Sequence, residues 1–199
     1  SFRFRYSQRQ SLVRFVSAAE RGFQRERSVR IRSQLLREIG NQTDFTNKLD
    51  QVSATTTSPR ERDLVSNQLR TEFSYRPEPV WEIALGIGIS RTTNRFGGGH
   101  VTADMNEQSV RLTYAFQGVG QLRTEVSREE VSVPLAGGAG LPFPYEFTNG
   151  RIVGKTFLWQ LALDYRFNQY VQVTVGYSGR TEGGRTAVHT ARAEARAFF

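Results

Sequence analysis

The stretch VWEIALGIGIS, residues 80–90, decides the fold class of this chain. Its large apolar side chains occupy every second position, and the positions between them hold small or polar residues. The large residues are Trp81, Ile83, Leu85, Ile87 and Ile89. Because successive side chains of a β-strand point to opposite faces of the sheet, the pattern predicts a strand with one strongly apolar face.

The same alternation recurs along the 199 residues, whereas helical periodicity is scarce. We therefore predict an all-β chain that forms a single domain, residues 1–199. The predicted strands are residues 2–15, 28–39, 42–52, 64–75, 80–90, 109–117, 121–131, 155–167, 170–180 and 190–199.

The connections between these strands alternate in length. The short ones are residues 40–41, 76–79, 118–120 and 168–169. The long ones are residues 17–26, 53–63, 91–108, 134–154 and 181–189. Outer-membrane barrels have short periplasmic turns and longer external loops. The chain is thus predicted to be an antiparallel transmembrane β-barrel of the bacterial outer membrane, with about ten strands or as the C-terminal part of a larger barrel.

Aromatic residues gather beside the short turns, where amphipathic rings prefer the membrane interface. The predicted lipid-facing girdle at this end is Phe73, Tyr75, Trp81, Tyr114, Phe116, Tyr165, Phe167, Tyr170 and Phe199. Trp159 is predicted to belong to the girdle at the opposite interface. A soluble β-sandwich with these rings in its core is the alternative, but such a core does not require aromatic residues at strand ends.

Charged residues fall on the face opposite the apolar one. An arginine in the middle of the lipid-facing surface costs about 2–4 kcal/mol, so we expect these residues to line the lumen. The predicted lumen-facing residues are Arg70, Glu72, Glu82, Arg111, Arg123, Glu125, Asp164, Arg166, Arg192, Glu194 and Arg196. Membrane lipids are the expected partners of the other face.

The overall composition limits the possible functions. The chain has no cysteine, which excludes disulfides, thiol chemistry and cysteine-based metal sites. Its net charge of +8 comes almost wholly from arginine. These arginines are spread along the chain rather than gathered in a patch, so no nucleic-acid partner is expected. A soluble basic β-barrel that binds nucleic acid is kept as an alternative.

The final stretch HTARAEARAFF, residues 189–199, resembles the C-terminal strand of bacterial outer-membrane β-barrel proteins. Such strands alternate and end on an aromatic residue, commonly Phe, and Phe199 matches that position. Alanines stand where larger apolar residues are usual, at Ala191, Ala193, Ala195 and Ala197. The resemblance implies that the barrel-assembly machinery recognises this strand.

Catalytic residues in outer-membrane enzymes lie on the outer rim, often as a histidine with Asp or Ser. The chain has two histidines, His100 and His189, both predicted in or beside long loops. His100 with Asp104 and Glu107 would form such a group, which makes a rim hydrolase or acyltransferase the alternative function. We favour solvated loop histidines and predict no catalysis, no cofactor and no metal site.

The loop VPLAGGAGLPFPYEFTNG, residues 133–150, carries no charge before its single glutamate. We predict that its aromatic residues Phe143, Tyr145 and Phe147 narrow the lumen, cap its mouth or contact other subunits of an outer-membrane complex. A narrow barrel filled by side chains would serve as a membrane anchor or scaffold. A wider one would be a channel for polar or anionic solutes.

Overall fold

A computed structural model describes residues 1–14, 19–55, 61–96, 101–134, 147–148, 150–182 and 185–198. The strands in it are β1 (Phe2–Arg14), β2 (Ala19–Gln34), β3 (Ile39–Ala54), β4 (Arg62–Tyr75), β5 (Trp81–Asn94), β6 (Val101–Phe116), β7 (Gly120–Ser132), β8 (Gly154–Arg166), β9 (Val171–Glu182) and β10 (Val188–Ala197). All ten belong to one antiparallel sheet, which confirms the predicted all-β class and the number of strands. That residues 1–199 form a single domain stays a prediction.

The strands lie in the sheet in chain order, so each pairs with its neighbours in sequence. Among the described residues no pairing joins β1 to β10, and the sheet therefore has two open edges. The side chains of β1 are exposed on both faces, as expected of an edge strand. No helix in the described ranges is long and apolar enough to cross a membrane.

Several strands extend beyond their predicted ends. About 9–11 residues suffice for a tilted strand to span a bilayer, whereas β2, β3 and β6 have 16 residues each. β2 begins at Ala19 and β6 at Val101, so the long loops predicted at 17–26 and 91–108 were largely wrong. Outside the hydrocarbon layer both faces of a strand meet water, and the alternation that reveals the strand disappears although its hydrogen bonding continues.

The two faces of the sheet differ sharply in composition. We call the face that carries Trp81, Leu85 and Ile89 the apolar face, and the face that carries Glu72 and Arg111 the ionic face. On β5 the large apolar-face side chains are exposed, with Leu85 at 50% and Ile89 at 54%. The small ionic-face residues between them are buried, including Ala84 at 2% and Thr92 at 2%. This is the reverse of a soluble barrel, in which the large apolar residues fill the interior.

A small apolar cluster lies on the ionic face at the end of the sheet near the β7–β8 connection. Leu64, Ala103 and Phe147 are its buried members, with Val101 and Val133 packed against them. These residues form the buried apolar contact of that end of the ionic face.

The apolar face changes character along one hydrogen-bonded row of the sheet. The row consists of Phe4, Val29, Phe45, Leu69, Ile89, Asn106, Glu130 and Lys155. Its members on β1 to β5 are apolar, and those on β6 to β8 are polar or charged. The apolar band is therefore oblique to the hydrogen-bonding direction.

Candidate functional site

Two glycines on β5 allow side chains of β4 and β6 to meet on the ionic face. Gly86 lies opposite Glu72, and Gly88 lies between Arg70 and Glu107 in the sheet register. Arg111 Nη2 donates a hydrogen bond to Glu72 Oε1 over a distance of 2.8 Å. Arg70 Nη2 and Glu107 Oε1 form an ion pair at 3.2 Å. Because the two glycines leave the space above β5 free of side chains, residues of β4 and β6 form ion pairs across it.

Arg151 extends this network to the β7–β8 connection. Its Nη2 lies 2.9 Å from Glu107 Oε2 and 3.3 Å from Glu129 Oε1. Glu107 and Glu129 are directly opposite each other on β6 and β7. Like charges in this arrangement repel, and their side chains are only 14% and 17% exposed. Arg151 thus neutralises two carboxylates that would otherwise oppose each other.

The segment around Arg151 is anchored on the ionic face. Phe147 is 1% exposed and packs against Leu64 and Ala103, and Thr148 is 7% exposed. The backbone turns back at Gly150, which has a φ of 75°, and Arg151 N donates to Thr148 O. The end of the connection that precedes β8 therefore lies against the ionic face. Phe143 and Tyr145 lie outside the described residues, and a contact role for the three aromatic residues stays a prediction.

Arginines are concentrated on the ionic face of β1 to β4. A cavity of about 290 Å³ is lined there by Arg3, Arg5, Arg30 and Arg70 together with Glu26 and Asp44. Arg30 Nε donates to Asp44, which offsets part of this charge. The remaining cations give this part of the face a positive surface with room for a small anion.

One register row shows how the charges are separated across the sheet. From β1 to β9 its residues are Arg3, Arg30, Asp44, Arg70, Gly88, Glu107, Glu129, Thr156 and Glu182. Three of the four residues from β1 to β4 are arginines, whereas the charged residues from β6 to β9 are all glutamates. Along this one row, positive residues therefore predominate on β1 to β4 and negative residues on β6 to β9.

The sheet register puts all eleven predicted lumen residues on this one face. Near the short turns, Arg76 Nη2 pairs with Glu82 Oε2 at 2.7 Å, and Gln160 donates to Glu125. On β10, Glu194 pairs with both Arg192 and Arg196. The three other residues of the predicted set, Arg123, Asp164 and Arg166, are exposed. That the ionic face borders a lumen stays a prediction.

On the apolar face, aromatic rings form a continuous chain of edge contacts near the short turns. Successive ring centroids of Trp81, Tyr114, Phe116, Tyr165 and Phe167 lie between 4.8 and 5.7 Å apart. The other residues of the predicted girdle include the exposed side chains of Phe73, Tyr75 and Tyr170. Phe199 lies outside the described residues.

The histidine-based rim site is not assembled as the sequence suggested. Asp104 and Glu107 lie on opposite faces of β6, since Asp104 pairs with Arg91 on the apolar face. His189 lies on the apolar face with its Nδ1 2.8 Å from the Tyr177 hydroxyl oxygen and its ring 5.5 Å from that of Trp159. His100 lies outside the described residues, and the described residues contain no cluster of three or more metal-ligating side chains.

Sequence reasoning did not select Glu107, Glu129 and Arg151 as members of the ionic face. The alternation of side chains along a strand would have included the two glutamates. Glu107 is an even number of positions from Arg111 on β6, and Glu129 is an even number of positions from Glu125 on β7, so each pair shares a face. Arg151 has no such signal, since it precedes β8 and reaches the ionic face through the fold of the connection.

Comparison with known proteins agrees with this architecture. No family model and no curated protein matches the chain, but solved structures of OmpT from Vibrio cholerae do. The outer-membrane expressed form has a TM-score of 0.60 and 14% identity over 97% of this chain. The in-vitro folded form, described as an outer membrane protein, has a TM-score of 0.55 and 12% identity over 96%. Its trimer form has a TM-score of 0.56 and 12% identity over 95%. The chain shares the fold of outer-membrane β-barrels.

This chain spans 65%, 64% and 62% of the three OmpT chains, which is less than two thirds of each. An identity of 12–14% carries the fold and nothing finer. The predicted resemblance to outer-membrane barrels is therefore confirmed at the level of the class, without the part that depended on Phe199.

The match to the OmpT structures overturns the prediction that the protein is not an enzyme. An outer-membrane barrel carries its loops on a rim where catalytic groups can be held, so the shared fold is compatible with catalysis. The prediction was wrong because it treated a barrel wall without an evident catalytic group as a reason to exclude an enzyme.

Proposed function

We propose that the chain forms the wall of a passage for polar and anionic solutes across the bacterial outer membrane. In this proposal the ionic face borders the water path and the apolar face meets lipid. The observation that carries it is the excess of basic residues on the ionic face of β1 to β4, where Arg3, Arg5, Arg30 and Arg70 line a cavity of about 290 Å³.

The balance of charges supports a preference for anions. On the ionic face of β1 to β4, basic residues outnumber acidic ones. The basic residues are Arg3, Arg5, Arg9, Arg30, Arg32, Lys48, Arg62 and Arg70, and the acidic ones are Glu20, Glu26, Asp44, Asp50 and Glu72. A wall of this kind raises the local concentration of anions and lowers that of cations.

The segment that contains Arg151 supports a narrowing of this passage. It is held against the ionic face by Phe147 at one end and by the ion pairs to Glu107 and Glu129 at the other. A solute that moves along the ionic face therefore passes this segment at the end of the sheet that carries the β7–β8 connection.

The partners of the protein belong to the same proposal. Membrane lipids cover the exposed residues of the apolar face, and the barrel-assembly machinery recognises the C-terminal strand. The β7–β8 connection contacts other subunits where the protein is part of an outer-membrane complex.

Conductance in planar bilayers tests the passage. The full chain is refolded in detergent, its folding is checked by heat-modifiable migration, and its reversal potential is measured in a gradient of KCl. We expect open-channel steps and a reversal potential on the anion-selective side. A trace that stays closed at every applied voltage contradicts the passage and favours a filled barrel that acts as an anchor.

Charge reversal on one strand provides the matched comparison. The Arg3→Glu, Arg5→Glu variant changes the ionic face of β1 and is expected to move the reversal potential toward cation selectivity. Arg14→Glu changes the apolar face of the same strand and is expected to leave selectivity nearly unchanged. Equal shifts per charge in both variants would show that net charge, rather than the ionic face, sets the preference.

A further inference from the structure

Three arginines on the apolar face of β2 lie at the border of the apolar band. The border residues Val29 and Ile31 continue the band from Phe4 and Phe45, and the next four apolar-face positions of β2 toward the β1–β2 connection are three arginines and Phe23. The arginines at these positions are Arg21, Arg25 and Arg27. We call these three residues the β2 arginine patch.

Cations at the border of the apolar face on β5 to β8 are paired with carboxylates. Arg91 Nε lies 2.7 Å from Asp104 Oδ1. Arg128 Nη2 and Lys155 Nζ lie 3.0 and 3.9 Å from the carboxylate oxygens of Glu130. The border on β5 to β8 is thus close to neutral.

The β2 arginine patch has no such carboxylate beside it. The apolar-face positions of β1, β2 and β3 contain no Asp and no Glu within the described ranges. The Nε of Arg25 is buried and has no hydrogen-bond partner within the described part of the chain. The guanidinium of Arg27 lies 5.9 Å from the centre of the Tyr6 ring, which orients this cation but does not neutralise it.

We infer that the β2 arginine patch binds the phosphate groups of membrane lipids. This inference rests on the proposed placement in a membrane, but not on the passage through it. Arginine presents two parallel donors that match phosphate oxygens, and arginines two positions apart on one strand lie about 7 Å apart, within reach of one headgroup.

The surroundings of the patch favour a lipid over a free anion. The row next to Arg27 on the side of Val29 is apolar, and its Phe4 and Phe45 side chains are 58% and 45% exposed. Gln8 lies opposite Arg25 and Asn47 lies opposite Arg27, and both supply further amide donors. A ligand that carries a phosphate next to acyl chains satisfies the cations and covers the apolar rows at once.

Lipid binding by the refolded full chain in neutral detergent tests the inference. The probes are diphosphoryl lipid A, phosphatidylcholine and inorganic phosphate, each titrated against the protein and followed by thermophoresis. We expect saturable binding of the diphosphorylated lipid at a concentration at least tenfold below that needed for the other two probes. Equal affinity for inorganic phosphate would identify a free-ion site and overturn the lipid assignment, and equal affinity for phosphatidylcholine would overturn the role of the phosphate charge.

Two double variants with the same change of charge separate this site from a general effect. Arg25→Gln, Arg27→Gln is expected to weaken binding of the diphosphorylated lipid at least tenfold and to leave conductance unchanged. Arg3→Gln, Arg5→Gln, on the ionic face of the adjacent strand, is expected to leave lipid binding within twofold. Equal weakening in both variants overturns the proposal. A closed bilayer trace with intact lipid binding contradicts the passage alone.

Discussion

β5 and β2 are strands of the same sheet and follow opposite rules. On β5 each apolar-face residue from Trp81 to Ile89 is large and apolar, and the ionic-face residues beside them are mostly small. On β2 the apolar face carries three arginines and Phe23 before it becomes continuously apolar at Val29 and Ile31. Alternation of large apolar residues therefore marks the hydrocarbon layer rather than the strand itself, which continues beyond that layer by backbone hydrogen bonds.

The ionic face differs between the same two regions. Around β5 the charged side chains neutralise one another across Gly86 and Gly88. Around β1 and β2 arginines stand in excess beside a cavity. The first region is expected to contribute stability and the second to contribute binding and selectivity.

The largest expected effect tests the hydrocarbon layer directly. Leu85→Arg on β5 should lower the free energy of unfolding in lipid vesicles by about 2–4 kcal/mol, because it moves a charge into the apolar band. Leu12→Arg on β1 is the matched control, since Leu12 is 51% and Leu85 50% exposed. Leu12 lies beyond the border, so we expect a change of about 0–1 kcal/mol. Urea titration followed by tryptophan fluorescence measures both, and equal losses would abolish the distinction between the two strands.

Removal of Arg151 tests the neutralisation of charges around β5. Arg151→Gln leaves Glu107 and Glu129 opposed without their common partner, and a loss of about 1.5–3 kcal/mol is expected from the lost charged hydrogen bonds. Arg185→Gln removes an exposed arginine from the β9–β10 connection and should change the same urea midpoint little. An Arg151 variant as stable as the parent would show that the ion pairs to the connection are dispensable.

Valine in place of a β5 glycine tests the space that the ion pairs need. A Cβ at Gly88 would lie 3.3 Å from the Cβ of Glu107, whereas a Cβ at Gly176 on β9 meets nothing within 4 Å. Gly88→Val should therefore cost about 1–3 kcal/mol through overpacking, and Gly176→Val should be nearly neutral. If the two variants are equally stable in urea, the ion pairs do not depend on the missing side chain.

The smallest effect is expected at the paired border of the apolar face. The Arg91–Asp104 pair is well exposed, with side-chain exposures of 67% and 40%. Asp104→Asn should lower stability by about 0.2–1 kcal/mol at low ionic strength, and the difference should disappear in 1 M salt because screening removes it. A loss that persists in high salt would require a contribution other than charge.

The sequence predicted the strands best where they lie within the hydrocarbon layer. β7 and β8 begin and end within one residue of their predicted bounds, because Leu161 and Leu163 alternate with ionic-face residues in β8. The start of β6 was missed because Asp104, Asn106 and Gln108 occupy its apolar face, which makes this half resemble a loop. For the site, the alternation of side chains along the strands correctly placed Glu72 and Arg111 on one face. The approach of Arg151 depends on long-range packing, which no local sequence pattern predicts.

The row from Phe4 to Lys155 has a further consequence for how the protein sits in its surroundings. A bilayer has flat boundaries, so a line of residues that starts among acyl chains and ends in water must rise through the boundary as it crosses the sheet. Hydrogen-bonded rows run across the strands, and a row that rises requires strands inclined to the bilayer normal, as in barrels whose strands incline by about 35–45°. The residues of this one row thus determine the direction in which the strands tilt away from the bilayer normal.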